Sequence, residues 1–390
     1  MAEPIIAKQP KKRLAVFLDG TFNAVDDNTN VWRLKSVCAP KSKDDTDPKD
    51  AADQLVYYAK GVNGFWGGFF GKGLDDIITG AYEWLIDQYT AGDEVFIFGF
   101  SRGAYAARSL AGLIAKCGLL KSGGAMGVKQ LYLRYRKHDA DTIWDLLEKG
   151  VGADIEERWL LKYSQAIHIK LVAVWDTVGA LGIPFGNIPG VSRSGFGWLE
   201  TGLRLPTENA FHAMAIDEHR GAFSPTLWTV RQKAKMAPPR EIESVEQRWF
   251  VGAHANVVGG YQSDLLAQIP LRWMMKKASL HGLAFKNDID LDEKATAADI
   301  KDSYTQFMYG IYSKFSKRYY RPIGEAPRET DGETHSSVNE TIDASVFDLY
   351  RADSNYRPPG LVDWAKRRQI DPATLTSSVK ANEPQTTVPD

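Results

Sequence analysis

Apolar residues along this chain gather in short unbroken runs instead of alternating with polar ones. Leu14 to Leu18, Leu55 to Ala59, Val95 to Gly99, Ile167 to Trp175 and Arg248 to Ala253 are such runs. A run without alternation has no wet face, which is the pattern of a strand covered on both sides. Between the runs the apolar period lengthens to that of a helix, over Leu74 to Tyr89, Arg102 to Lys116 and Met126 to Lys137. Leu266 to Leu283 and Ala298 to Lys317 read as two more helices. The pattern predicts an α/β fold, a mostly parallel central sheet with helices on both faces.

The same pattern predicts one domain over residues 1–370 and no internal repeat. Charged helical sequence at about 121–165 interrupts the alternation and reads as a helical insertion. Residues from about 284 to 370 read as a helical C-terminal extension, and PKSKDDTDPKD (40–50) as a solvated loop. Residues 371–390 carry little that forms a core, so a disordered tail is expected there.

Composition narrows the function classes. Hydrophobic residues make up 44% and charged residues 25%, the balance of a soluble globular protein. A net charge of −1 gives no global field toward acidic polymers, so no nucleic-acid partner is expected. Two cysteines, Cys38 and Cys117, are too few for a disulfide framework and form no CxxC pair, which suits synthesis in a reducing cytoplasm. No apolar segment precedes the basic cluster near the start, and no uncharged apolar run is long enough to span a bilayer. Neither a signal peptide nor a transmembrane helix is expected.

The chemistry concentrates in DEVFIFGFSRGAYAARSL, residues 93–110. Gly99-Phe100-Ser101-Arg102-Gly103 lies where a strand pattern ends and a helix pattern starts, the context a nucleophile elbow requires. Gly99 and Gly103 make room for a cramped turn, and the turn exposes the Ser101 hydroxyl. The N–H of Arg102, at the start of the helix, then points at a developing oxyanion. The alternative is a glycine-rich turn that binds phosphate or only connects.

A serine nucleophile needs a base, and the base needs an acid. Asp176 closes the apolar run HIKLVAVWD, where a triad acid belongs, although such a residue can equally cap a turn. His254 follows the next apolar run in the glycine-rich EQRWFVGAHANVVGGY and completes the order Ser, Asp, His. His138, His281 and His335 lie in charged or helical surroundings and read as solvated, and His168 starts a strand. His212 and His219, in AFHAMAIDEHR with Asp217 and Glu218, read as one face of a helix carrying a core histidine. They lack a metal-binding spacing, and DDNTN lacks that of a calcium loop, so no metal or other cofactor is expected.

Two loops complete the picture. In VFLDGTFN, the N–H groups of Gly20 and Thr21 are candidates to finish an oxyanion hole, the alternative being an ordinary turn capped by Asp19. In GVNGFWGGFFGKG, residues 61–73, Phe65, Trp66, Phe69 and Phe70 stand among glycines. That composition suits a lid or a transient membrane-surface contact, or else aromatic packing over the sheet edge.

With these residues in view, the chain resembles the uncharacterised α/β-hydrolase domain family that includes phospholipase effectors of bacterial type VI secretion. The segments that carry the likeness are VFLDGTFN, DDNTNVWRL, GFFGKGLDDIITGAYEWLIDQYTAGDEVFIFGFSRGAYAARSLAGLI, VWDTVGALG, FHAMAIDEHRGAFSPTLW and QRWFVGAHANVVGGY with the LAQIPLRWMMKKASLHGL that follows. The resemblance implies an α/β-hydrolase fold with a triad of Ser101, Asp176 and His254, and hydrolysis of esters such as glycerophospholipid acyl chains. It also implies a secretion-spike protein and an immunity protein as partners. Small soluble esters are an alternative substrate class. One departure bears on activity: family members commonly read His-Ser-Asp-Val-Gly-Gly-Gly where this chain has His254-Ala255-Asn256-Val257-Val258-Gly259-Gly260. If the missing carboxylate orients His254, the triad is disarmed and the chain is a binding module; if Asp176 does so, Asn256 only shapes the loop.

Overall fold

A computed structural model describes residues 11–20, 28–42, 51–61, 70–137, 140–178, 206–231, 240–261, 264–295, 300–306, 311–325, 328–330 and 333–382 of the 390-residue chain. The first half runs β1 (Arg13–Leu18), α1 (Asn30–Val37), β2 (Gln54–Ala59), α2 (Phe70–Gln88), β3 (Glu94–Phe100) and α3 (Arg102–Cys117). An excursion follows, through β4 (Leu119–Leu120), α4 (Val128–Tyr135), α5 (Ile143–Lys149), α6 (Ile155–Tyr163) and β5 (Ser164–Gln165). β4 and β5 pair antiparallel and close its neck. The chain then enters β6 (Ile169–Trp175), β7 (Thr207–Ala215), the short β8 (Thr229–Arg231), β9 (Val245–Phe250), α7 (His254–Val258) and α8 (Gln268–Leu280). Its last part carries α9 (Ser303–Gln306), α10 (Ile311–Phe315), β10 (Arg328–Thr330), β11 (Glu333–Ser337), β12 (Glu340–Ile342), α11 (Ala344–Ala352), α12 (Pro359–Arg368) and β13 (Val379–Lys380).

Eight strands form the central sheet in the order β2-β1-β3-β6-β7-β9-β12-β13, all parallel except β13. This is an α/β-hydrolase-like fold. Side chains of one strand leave on opposite faces, so both faces of β1 are apolar. Leu14, Val16 and Leu18 pack with residues of α2 and α3. Ala15 and Phe17 pack on the other side with residues of α1 and α8, where Phe17 stacks on Phe98 with centroids 4.6 Å apart. A third apolar cluster joins Trp249 and Ile342 to α11 and α12. From β1 the chain steps first to β2 on one side and later to β3 on the other. The order therefore reverses between β1 and β3, and the crevice beyond their carboxyl ends is where such sheets hold ligands.

Three expectations are corrected. AFHAMAIDEHR is not a helix: residues up to Ala215 form β7, buried between β6 and β9, because a short apolar run rich in alanine carries no period that separates strand from helix. The extension is not wholly helical, since β10, β11 and β8 form a small antiparallel sheet; between Ala298 and Lys317 the described residues include the helical stretches α9 and α10. Residues 371–382 are no tail. Val379 pairs with Ile342 in the central sheet, and Leu375, Val379 and Ala381 are buried in the third cluster. Residues 383–390 lie outside the described residues.

Ending the chain after Ile370 removes those three side chains from the core. A loss of about 3–6 kcal/mol is expected from Leu375 and Val379, at the 1.5–3 kcal/mol typical of each buried aliphatic side chain, with Ala381 adding less. Urea unfolding measures it, and an unchanged midpoint would show that the segment does not belong to the fold.

Candidate active site

The carboxyl ends of β1, β3, β6, β7 and β9 bring the sequence-predicted residues to one edge of the sheet. Ser101 follows β3 directly with φ 54° and ψ −117°, a strained conformation for a residue with a side chain. The turn depends on its glycines. A Cβ on Gly103 would come within 2.5 Å of the Asp19 carbonyl oxygen, and one on Gly99 within 2.8 Å of the Ala104 Cα. Both close approaches let β3 turn into α3 hard against the end of β1. Arg102 opens α3, which puts the positive end of its sixteen-residue dipole beside Ser101.

Asp176 follows β6 in the same way, with φ 38° and no exposure to solvent. His254 opens α7 after β9. Its Nδ1 lies 2.5 Å from Asp176 Oδ2 and its Nε2 lies 2.9 Å from Ser101 Oγ. A carboxylate only accepts hydrogen bonds, so Nδ1 carries the proton and Nε2 accepts from the serine hydroxyl. The imidazole sits between two rings, Phe100 at 4.8 Å and Phe223 edge-on at 5.0 Å. Burial holds the His254 pKa below its ordinary 6.5, against the hydrogen bond and charge of Asp176. The ring is thus neutral and basic at neutral pH. Burial works against the Asp176 charge, but Arg321 first and His254 next outweigh it and hold the carboxyl below the usual range.

Two features of this surrounding escaped the sequence reading. Arg321 grips Asp176 through Nη1 to Oδ1 at 2.6 Å and Nη2 to Oδ2 at 2.9 Å. Nothing at the sequence level marks it, since it lies 145 residues from its partner. Glu218 takes the Arg220 guanidinium in two bonds of 2.8 Å and also accepts from the His254 backbone N–H at 3.2 Å and from Ser303 Oγ at 2.8 Å. The pair Glu218 and Arg220 in DEHR was legible as charge, but not as the floor of the histidine loop.

The departure in that loop has a plain local structure. Asn256 Oδ1 accepts from the N–H of Ala253 at 3.1 Å and of Lys301 at 3.2 Å, while its Nδ2 donates to Asp264 Oδ2 at 3.2 Å. The amide thus serves the loop, and the partner at Nδ1 of His254 is Asp176. Val258 stays helical, and the positive φ values fall on Gly259 and Gly260.

Other expectations resolve differently. The Gly20 N–H donates to Asp19 Oδ1 at 2.8 Å, so in this structure it is engaged with the neighbouring side chain. Asp19 itself also accepts from Thr29 Oγ1 at 2.6 Å and Tyr58 at 2.9 Å. Thr21, Phe65, Trp66 and Phe69 lie outside the described residues, as does the side chain of Phe70 at the start of α2. His212 is a buried, satisfied histidine on β7, accepting the Thr177 N–H at 3.0 Å, with its pKa pushed down by burial to about 3. His219 bonds elsewhere, to the Tyr319 carbonyl at 3.2 Å. Among the described residues no three histidine, cysteine or acidic side chains converge as a metal site, and no helix is long and apolar enough to cross a membrane.

The chain is similar to several known proteins. The uncharacterized protein YEL023C of Saccharomyces cerevisiae is 28% identical over 203 residues, which is 46% of this chain and 28% of that protein. The chain thus spans well under a third of the length of this relative. Among solved structures, the Tle1 effector bound to the VgrG spike of the type VI secretion system aligns at 18% identity and TM-score 0.34, over 66% of this chain and 52% of that one. An uncharacterized protein from Pseudomonas aeruginosa aligns at 16% identity and TM-score 0.41, over 78% and 51%. Residues 12–277 match the type VI secretion family described as phospholipase effector Tle1-like, catalytic domain. That match spans well over half of the chain, and the protein belongs to this Tle1-like phospholipase effector family through its catalytic domain.

Proposed function

We propose that the protein is a serine phospholipase that hydrolyses acyl esters of glycerophospholipids with Ser101, His254 and Asp176. The observation that carries this reading is the hydrogen-bonded line from Ser101 Oγ through His254 to Asp176, 2.9 Å and 2.5 Å long, at the strand ends beside the switch point. His254 Nε2 takes the hydroxyl proton as Oγ attacks the ester carbonyl. The carbonyl oxygen gains the electron pair and is stabilised at the start of α3, where the Arg102 N–H is the donor. The tetrahedral intermediate collapses, His254 returns the proton to the departing glycerol oxygen, and an acyl ester remains on Ser101. Water then attacks with the same base and releases the fatty acid. Asp176 stays ionised and stabilises the imidazolium of both steps. No step uses a metal or an organic cofactor.

Family membership supports the phospholipid as substrate, and with it export by a type VI system, a spike protein as carrier and an immunity protein as guard. Lipid supplied as vesicles then meets the enzyme at a membrane surface. The reading as a binding module rested on Asn256, whose side chain is engaged with Ala253, Lys301 and Asp264.

Fluorophosphonate labelling tests the nucleophile: the folded protein reacts, while Ser101→Ala and His254→Ala do not. Asp176→Asn is expected to lose about 10⁴ in kcat, as a wrong tautomer does in such triads. Labelling that survives Ser101→Ala ends the proposal. The pH profile follows from the lowered His254 pKa. Activity needs the neutral ring, so kcat/KM is flat through neutrality and falls with acid only below pH 6.5. A midpoint above that value contradicts the buried, neutral histidine. Asn256→Asp restores the family residue yet sets a second carboxylate 3.2 Å from Asp264, whose pKa burial already raises to about 6. The variant is expected to melt lower with kcat within about threefold of the parent, as a loop charge away from the reacting atoms does. A large gain in kcat would instead give position 256 the orienting role.

A further inference from the structure

Arg321 lies beyond residues 12–277, the part of the chain that the family's catalytic domain matches. It is nevertheless completely buried and binds both oxygens of Asp176. Its two terminal nitrogens also donate to the Ala215 carbonyl at 2.7 Å and the Phe223 carbonyl at 2.5 Å. Ala215 ends β7 and gives its own N–H to Asp176 Oδ1 at 3.0 Å. Phe223 presents its ring edge to the His254 imidazole. One guanidinium therefore ties the acid, the end of the neighbouring strand and one wall of the histidine into a single unit. The arginine's own backbone is fixed as well, because Gly360 of α12 lies so close to the Arg321 carbonyl that a Cβ there would collide.

From this geometry we infer that Arg321 is a positioning residue of the active site: it acts through Asp176 to hold His254 in its working tautomer and orientation. The inference rests on the Ser101, His254 and Asp176 reading of the site. Two features separate this role from simple neutralisation of a buried acid. The fork engages Oδ1 and Oδ2 together, which fixes the carboxylate plane and leaves one direction at Oδ2 for His254 Nδ1. Asp176 also has a strained backbone, φ 38°, so its side chain needs an external clamp to keep that aim. The extension supports the same loop twice more, by Ser303 on Glu218 and by the Lys301 N–H on Asn256. The site thus depends on residues outside the matched domain.

Other charges surround the pair and enter its pH behaviour. Glu218 and Arg220 face the histidine loop, Asp217 lies at the Gly252 N–H and the Tyr356 hydroxyl, and His212 stands on β7. Against the burial of Asp176, the charge of Arg321 is the largest of the contributions that keep the acid ionised, ahead of those of His254. Replacing it with a neutral side chain raises the acid's pKa, and the acid limb of activity moves to higher pH with it.

The test compares the full-length parent with Arg321→Lys, Arg321→Gln and Arg321→Ala, each checked for folding by circular dichroism. In the parent, the bond between His254 Nδ1 and Asp176 Oδ2 is expected to give a far-downfield proton resonance that is absent from His254→Ala. The inference expects Arg321→Gln to shift or abolish that resonance, to lower kcat about 10- to 100-fold with KM nearly unchanged, and to move the acid limb upward. Arg321→Lys, which keeps charge without the fork, is expected to fall between, and guanidinium in the buffer to restore part of the Arg321→Ala rate. Folded variants with the parent resonance, kcat and acid limb would overturn the inference. So would equal losses in the Lys and Gln variants without a pH shift or guanidinium rescue, since those mark a merely structural contact. If Arg321→Gln and Arg321→Ala do not fold, Arg321→Lys decides by the same resonance and acid limb. Parent protein that neither labels at Ser101 nor turns over ester fails the hydrolase reading, while the resonance still reports whether Arg321 holds the Asp176–His254 pair.

Discussion

A carboxylate without access to water, at the end of β6, is the constraint around which the rest of the site is arranged. Taking such an ion out of solvent costs several kcal/mol, and it persists only where partners fill its lone pairs. Among the described residues Asp176 receives four hydrogen bonds: one from β7 through the Ala215 N–H, one from His254 after β9, and two from Arg321 in the C-terminal part of the chain. Each bond couples an element that the chain order keeps far apart. The same bonds that make the buried charge tolerable also set the direction in which the imidazole faces Ser101. Stability and chemistry share one set of contacts here, so a change to either is felt in the other.

The sheet makes that convergence possible. Parallel strands deliver their carboxyl ends to one edge, and residues just past those ends meet without long loops. Ser101, Asp176 and His254 stand one, one and four positions beyond β3, β6 and β9. The strain at Ser101 and Asp176 is local, and the surrounding packing enforces it: β1 against Gly103 on one side, Arg321 against the acid on the other. Glu218 extends the scheme by holding the backbone of His254 rather than its ring.

How much of this could be read from sequence depends on whether the physics is local. The β3–α3 elbow is legible because five apolar strand positions, two glycines and a helix start all lie within one window, and each constrains its neighbour. The run read from sequence starts at Arg248, three residues late, because Glu246 and Gln247 look like loop. In the fold they are buried: Glu246 is matched by Arg248 at 2.8 Å and Lys277 at 2.8 Å, while the Gln247 amide bonds the Trp228 and Val338 backbones. β7 reads as a helix because burial on both faces erases its period. Residues 371–382 look like a tail because three apolar side chains spread over seven positions carry no pattern, although all three are buried. Arg321 was out of reach for a deeper reason: its role is defined wholly by a tertiary contact.

The most direct measurement of the central claim is to trap the acyl-enzyme. A short-chain phosphatidylcholine is mixed with the protein, quenched in acid within the first turnovers, and the peptides are weighed. An active serine phospholipase gives the acyl mass on the peptide that contains Ser101, and the signal disappears in Ser101→Ala. Fatty-acid release with no acyl mass at Ser101, or with that mass on another residue, would contradict the account.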